Sequence, residues 1–342
     1  MKTAKHLCFT SHREVMMRNA HDVGVMVNLL AMNSWKHKIQ ILADCEMSTH
    51  VHLIVIGEHG DASDFIRDVR KQYTWHVNTK YGRPNGIRFG EKGFFELDIY
   101  GSSHIQTALS YVLRNPLHHG VTVTPFAYPY SSVNDIYPME MGKHERAHLD
   151  DGRHSELHLM RDGRWRKHES GKSQMIGSEL IDSHSTIAGF LPRNASWPDE
   201  WKMSKDGVFL RPCFEELRQT EMLFVSPGAF QFCMFRKSDE NWLREQDADA
   251  NGLPPIELSC IEPFSGQQQL MQYKANEKAS AFRKSAPDDF EICRIVDHDM
   301  VPAFKCHSVY ELSDAQKSTA RAILVHEMHI SETQAERCVP MP

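Results

Sequence analysis

The stretch that most restricts the fold is "KIQILADCEM" (38–47), followed at once by "HVHLIVI" (50–56). Both runs suit strands, and only Ser48 and Thr49 separate them, which predicts an antiparallel hairpin. "KHLCFTS" (5–11) and "EKGFFELDIY" (91–100) read as further strands. Helical spacing of apolar residues runs through 22–37, 61–82 and 102–115. Asp22 can cap the first helix, Gly82 can end the second, and Ser103 with Gln106 forms a capping-box pattern on the third. Pro116 stops that third helix.

The order is β-α-β-β-α-β with an added helix. It predicts an α+β fold: a ferredoxin-like (split β-α-β) antiparallel sheet with helices on one face, plus a mixed, mainly helical C-terminal extension. Residues 1–135 read as one unit. The segment 136–173 is dense in charge and histidine and reads as a linker or arm. Residues 174–305 carry enough apolar sequence, as in "EMLFVSPGAFQFCMF" (221–235), for an accessory core. In 306–342, the pairs Ser313/Gln316 and Ser331/Gln334 mark two capped helices, a candidate helix-turn-helix.

Composition narrows the class. A net charge of −6 argues mildly against broad nonspecific duplex binding, which rests on neutralising phosphates. The eight cysteines form no C-x-x-C pair and read as reduced thiols. No window approaches the ~18 apolar residues of a membrane helix, so no membrane partner is expected. The N-terminus has no apolar core like that of a signal peptide, and the cytoplasm is the expected compartment.

A strand points alternate side chains to opposite faces, so His50 and His52 stand on one face while Val51, Leu53 and Val55 line the other. In a chain with 21 histidines the pair is either a metal-binding pair or two polar strand residues. Tyr111 and Asn115 are four apart and share a helix face. A phenol near a divalent cation is a better nucleophile than its pKa of about 10 suggests, and an amide oxygen can bind a hard cation. Asp44 and Glu46 share parity with the histidines if the register runs unbroken, which makes Glu46 a candidate acceptor behind the ligands. Arg67, Arg70, Lys71 and Lys80, with Tyr73 among them, interleave basic and aromatic groups as a single-strand-binding surface does; a solvated helix face is the alternative.

"HVH" at the head of an apolar strand, the intervening "IRDVRKQYTWHVN", and "YVLRNPLHHGVTVTPFAYPYSS" (111–132) together resemble the motifs of HUH-superfamily single-tyrosine transposases, in particular the REP-associated tyrosine transposases. Where many relatives have Pro-Asn before the first histidine, this chain has Ser48-Thr49. The resemblance implies metal ligands at His50, His52 and Asn115, with Mg²⁺ or Mn²⁺ as cofactor, and Tyr111 as the nucleophile. It implies cleavage and strand transfer on single-stranded or hairpin DNA through a 5′-phosphotyrosine, by a monomer or homodimer. Two other readings remain: a DNA-binding regulator without turnover, and a metal-dependent hydrolase using water.

Overall fold

The computed structural model describes residues 2–11, 14–58, 60–83, 86–90, 94–122, 124–138, 157–159, 165–167, 187–204, 206–235 and 287–341. Its first elements are β1 (Thr3–Thr10), α1 (Ala20–His37), β2 (Gln40–Glu46), β3 (His50–Gly57), α2 (Asp61–Tyr81), β4 (Phe95–Ile99), α3 (Ser102–Leu113) and the short turn α4 (Asn115–His118). The four strands form one antiparallel sheet in the order β2-β3-β1-β4, so the fold is α+β. The two central strands are β3 and β1. Cys8 pairs with His52 and Thr10 with His50, which fixes the histidine face across both of them.

Two expected caps differ. Asn19, not Asp22, caps α1, its side chain accepting from the Asp22 backbone N–H. Asp22 is instead drawn inward, where it accepts from Arg18 N, His76, Lys80 and Tyr81. Helix α3 begins at Ser102 after Gly101 and has no side-chain cap.

Helices lie on both sides of the sheet rather than one. Tyr111 of α3 rests against His52, so α3 occupies the histidine face. Helices α1 and α2 pack on each other, and Asn28 of α1 bonds Gly207 O (2.6 Å) and Phe209 N (2.8 Å). Two residues on, Arg211 grips Asp44 and Glu46, whose β3 partners Leu53 and Val51 face away from the histidines.

Residues 187–235 do not make a separate core. Ile187, Trp201, Phe209, Phe214 and Phe230 are buried in the same cluster as the sheet residues Leu7, Val51 and Leu53. Gly24 admits this packing, because its missing side chain leaves room for Ile187 and Val208. Helices α5 (Leu217–Phe224) and α6 (Pro227–Phe235) continue the segment, with Thr220 donating to the Leu42 carbonyl (2.7 Å).

A second core gathers α7 (Asp289–Ile295), α8 (Asp314–Ala322) and α9 (Glu332–Cys338) around Ile292, Val296, Leu324, Ala335 and Val339, with Val15 inserted from the N-terminal part. The boundary expected at 305/306 thus falls inside one helical unit. The capping box at Ser313/Gln316 is present in both directions. Most of 136–173 lies outside the described residues; within it, β5 (Leu157–Leu159) and β6 (Trp165–Lys167) pair antiparallel. Among the described residues, no helix is long and apolar enough to cross a membrane.

Candidate active site

The histidine face of the central strands is crowded with imidazoles. His6 on β1 and His50 and His52 on β3 are all buried. His6 Nε2 lies 3.0 Å from His52 Nδ1, and the rings of His50 and His52 are 5.0 Å apart. Beyond α3, the turn at 118–119 adds His119, 5.2 Å from the His50 ring. Burial, then the neighbouring His50, His6, His119 and His118, holds His52 well below the usual imidazole pKa. His52 is therefore neutral at physiological pH, the form in which imidazole binds a metal.

Helix α3 ends at Leu113, and α4 takes up the chain at Asn115, with Pro116 placed early in that turn where its missing N–H costs nothing. Tyr111 and Asn115 thus keep nearly continuous helical geometry. Asn115 is fully buried, and its Oδ1 lies 2.8 Å from His50 Nε2. The other His50 nitrogen, Nδ1, is 3.0 Å from Thr49 Oγ1. Tyr111 is 5 % exposed, its ring edge-on to His52 (5.5 Å) and His6 (5.6 Å), with His118 at 6.0 Å.

Two imidazoles and an amide oxygen meet here, donor types that are found in divalent-cation sites. Imidazole nitrogens suit transition metals, and an amide oxygen suits the harder Mg²⁺ and Mn²⁺. The 2.8 Å between His50 Nε2 and Asn115 Oδ1 is close to the ~3 Å edge of an octahedron with ~2.1 Å bonds, so both can occupy adjacent corners. A second group has metal-like geometry: His21, Asp22 and His76 bring three ligand atoms within 4.8 Å of one another. There the Lys80 ammonium already stands among the donors, 2.8 Å from Asp22 Oδ1, 3.1 Å from Asn19 Oδ1 and 3.2 Å from His21 Nδ1. Neither sequence spacing nor periodicity hinted at this group, because His76 lies more than fifty residues from the adjacent pair His21 and Asp22.

A cleft of about 710 Å³ opens beside His50 and His119. Thr10, Ser11 and Glu14 form one side, and α7 and α9 supply the far wall through Asp288, Asp289, Thr333 and Arg337. Its volume falls in the ~300–1,000 Å³ range of ligand clefts.

The other expected residues fall away from the histidines. Glu46 pairs with Val51 and so points to the opposite face. The reason is the connection: Met47 N bonds His50 O, leaving a two-residue loop that matches even positions on β2 with odd positions on β3. Glu46 bonds Arg211 Nη2 (2.8 Å) instead. Tyr73 is wholly buried, its hydroxyl donating to the Met16 carbonyl, and offers no ring face to a base. Lys80 is committed to Asp22. Arg67 is exposed but paired with Asp64 at 2.6 Å, and Arg70 lies over the Phe89 ring at 4.2 Å. Lys71 faces solvent. The sequence reading missed His6, His118, His119 and Arg211. Strand alternation could have flagged His6, but nothing local says which strand would pair with which.

No protein-family profile and no curated protein matches this chain. Among solved structures, it is similar to a REP-associated tyrosine transposase bound to a REP hairpin, with 17 % identity and a TM-score of 0.34, over 41 % of this chain and 80 % of that one.

Proposed function

We propose that this chain cleaves single-stranded DNA and transfers the cut strand through Tyr111. On this reading the β2-β3-β1-β4 order, with its split β-α-β connections, is the ferredoxin-like plan, and residues of its central strands and of α3 and α4 form the site. His50, His52 and Asn115 would hold a divalent cation, Mg²⁺ or Mn²⁺, which when bound polarises the scissile phosphate. Tyr111 supplies the phenol oxygen: a bond forms from Oη to phosphorus, the bond to the 3′-oxygen breaks, and the phenol proton leaves as the 3′-hydroxyl is released. The phosphotyrosine keeps the energy of the broken diester, so a second 3′-hydroxyl can rejoin the strand by the reverse step.

One observation carries the proposal: Asn115 Oδ1 at 2.8 Å from His50 Nε2, with the Tyr111 ring 5.5 Å from that of His52. Residues about sixty positions apart in sequence, on a strand and on a helix, meet in one place, which supports reading them as ligand set and nucleophile. Incubating the protein with labelled hairpin-bearing single-stranded DNA and Mn²⁺ should yield a covalent adduct on a denaturing gel. The adduct should vanish with Tyr111→Phe. Cleavage without an adduct favours a hydrolase using water.

A second reading follows from the burial of Tyr111, which at 5 % exposure is nearly closed to a phosphate. A DNA-binding regulator without turnover would leave the tyrosine packed in this way. Tight DNA binding with neither cleavage nor adduct would favour it.

A further inference from the structure

The turn that carries His50 is gripped from two sides. From the N-terminal part, Ser48 O accepts from Met16 N (2.8 Å) and Met17 N (2.9 Å), and Thr49 O accepts from Ser11 N (2.9 Å). From the C-terminal helices, Asp289 Oδ2 accepts from the Ser48 hydroxyl (2.8 Å). Asp289 is itself held by a two-point grip from Arg337, Nε at 2.8 Å and Nη2 at 2.9 Å. The next residue, Thr49, sets its hydroxyl 3.0 Å from His50 Nδ1, on the ring edge opposite Asn115. Ser48, Asp289 and Arg337 all line the cleft beside His50.

We infer that Ser48, anchored by Asp289 and Arg337, is a positioning residue for His50, so that the C-terminal helical unit is part of the metal site. The inference rests on the metal reading proposed above. A plainer role for the Ser48–Asp289 bond would be to dock the helical unit on the sheet. That docking has other bonds which do not touch the turn. Arg18 grips Asp297 through two bonds (2.9 and 2.8 Å) and the Cys338 carbonyl through a third (2.8 Å), and the Ser308 hydroxyl donates to Tyr81 O (2.9 Å). The Ser48 bond is one among many for docking, but unlike those bonds it reaches the turn between β2 and β3 itself. A group that bonds the second nitrogen of a metal-binding histidine, as Thr49 bonds His50, commonly changes metal affinity by ~10–100-fold, and Ser48 acts on His50 through Thr49.

The test measures Mn²⁺ binding to the full-length protein by calorimetry, alongside thermal unfolding. Ser48→Ala should weaken Mn²⁺ binding by about tenfold, and Ser48→Thr, which keeps the hydroxyl, should restore it. Asp297→Asn, which loosens docking away from the turn, should lower thermal stability and leave Mn²⁺ affinity within about twofold of wild type. If Ser48→Ala binds Mn²⁺ like wild type while His50→Ala does not, the inference is wrong and the metal reading stands. If Asp297→Asn weakens Mn²⁺ binding as much as Ser48→Ala, the contact acts only through docking and the inference is wrong. A wild type that binds no Mn²⁺, or a His50→Ala variant that binds as well as wild type, overturns the metal reading and this inference with it.

Discussion

Arg211 offers the sharpest test of how the segment beyond residue 187 supports the site's sheet. Its guanidinium donates from Nε to Asp44 Oδ1 and from Nη2 to Glu46 Oε2, both at 2.8 Å, and Nε is 3.3 Å from Glu215 Oε1. The three acid side chains are fully buried. Burial, then the charge of Asp44, pushes the Glu46 carboxyl well above its ordinary pKa, and Arg211 offsets only part of that. Glu215 is raised for the same reasons in the same order. A carboxyl whose folded pKa exceeds its unfolded value stabilises the fold fully below the unfolded value, and that contribution is lost as pH rises through the folded one. Replacing Arg211 with Met keeps the bulk and removes the positive charge, so the loss with rising pH must steepen. Two charge-assisted bonds at ~1.5–3 kcal/mol each give about 3–6 kcal/mol, in line with the ~3–5 kcal/mol typical of breaking a buried pair. The Arg211→Met variant should therefore lose about 3–5 kcal/mol near pH 8, and less near pH 5, where the acids can take up protons. Urea unfolding at several pH values, followed by tryptophan fluorescence, measures this, since Trp201 packs 5.4 Å from Phe209 beside the cluster. A loss below ~1 kcal/mol, or one of equal size at both pH values, would refute the reasoning.

Two further outcomes are expected. Tyr73→Phe should cost ~1–3 kcal/mol in urea unfolding, because it strands the buried Met16 carbonyl that its hydroxyl bonds at 3.0 Å, and it should leave oligonucleotide affinity unchanged. Gly24→Ala should cost about 1–3 kcal/mol in thermal unfolding through overpacking, since a Cβ there would stand 2.6 Å from Ile187 Cδ1 and 2.9 Å from Val208 Cγ2. An unchanged melting temperature would mean that residues 187–208 give way easily and hold α1 only loosely.

The sheet and its helices were legible because their signals are local. The runs at 38–47 and 50–56 became β2 and β3, and the apolar spacing at 22–37 became most of α1. What failed depended on partners far along the chain. Asp22 has the chemistry of a cap, but His76, Lys80 and Tyr81 draw its carboxylate inward, and Asn19 takes over the cap. Residues 187–235 have apolar content enough for a core of their own, and composition cannot say that the core they join is the sheet's. Tyr73 looks like a stacking platform in sequence because its burial depends on how α2 meets the chain at Met16.

Glu46 shows the same limit inside the site. Counting parity through 44, 46, 50 and 52 puts carboxylates and histidines on one face, provided the strand is continuous. The hairpin breaks that count, because a two-residue loop pairs Glu46 with Val51 and Cys45 with His52. The consequence is chemical as well as geometric. Carboxylates beside His50 and His52 would raise their pKa by favouring the protonated imidazole. With Asp44 and Glu46 turned to Arg211 on the other face, the groups that shape His52 after its burial are other imidazoles, and they hold it neutral. The loop of Ser48 and Thr49 therefore does more than reverse the chain: it separates an acid–arginine cluster from an imidazole cluster across one sheet.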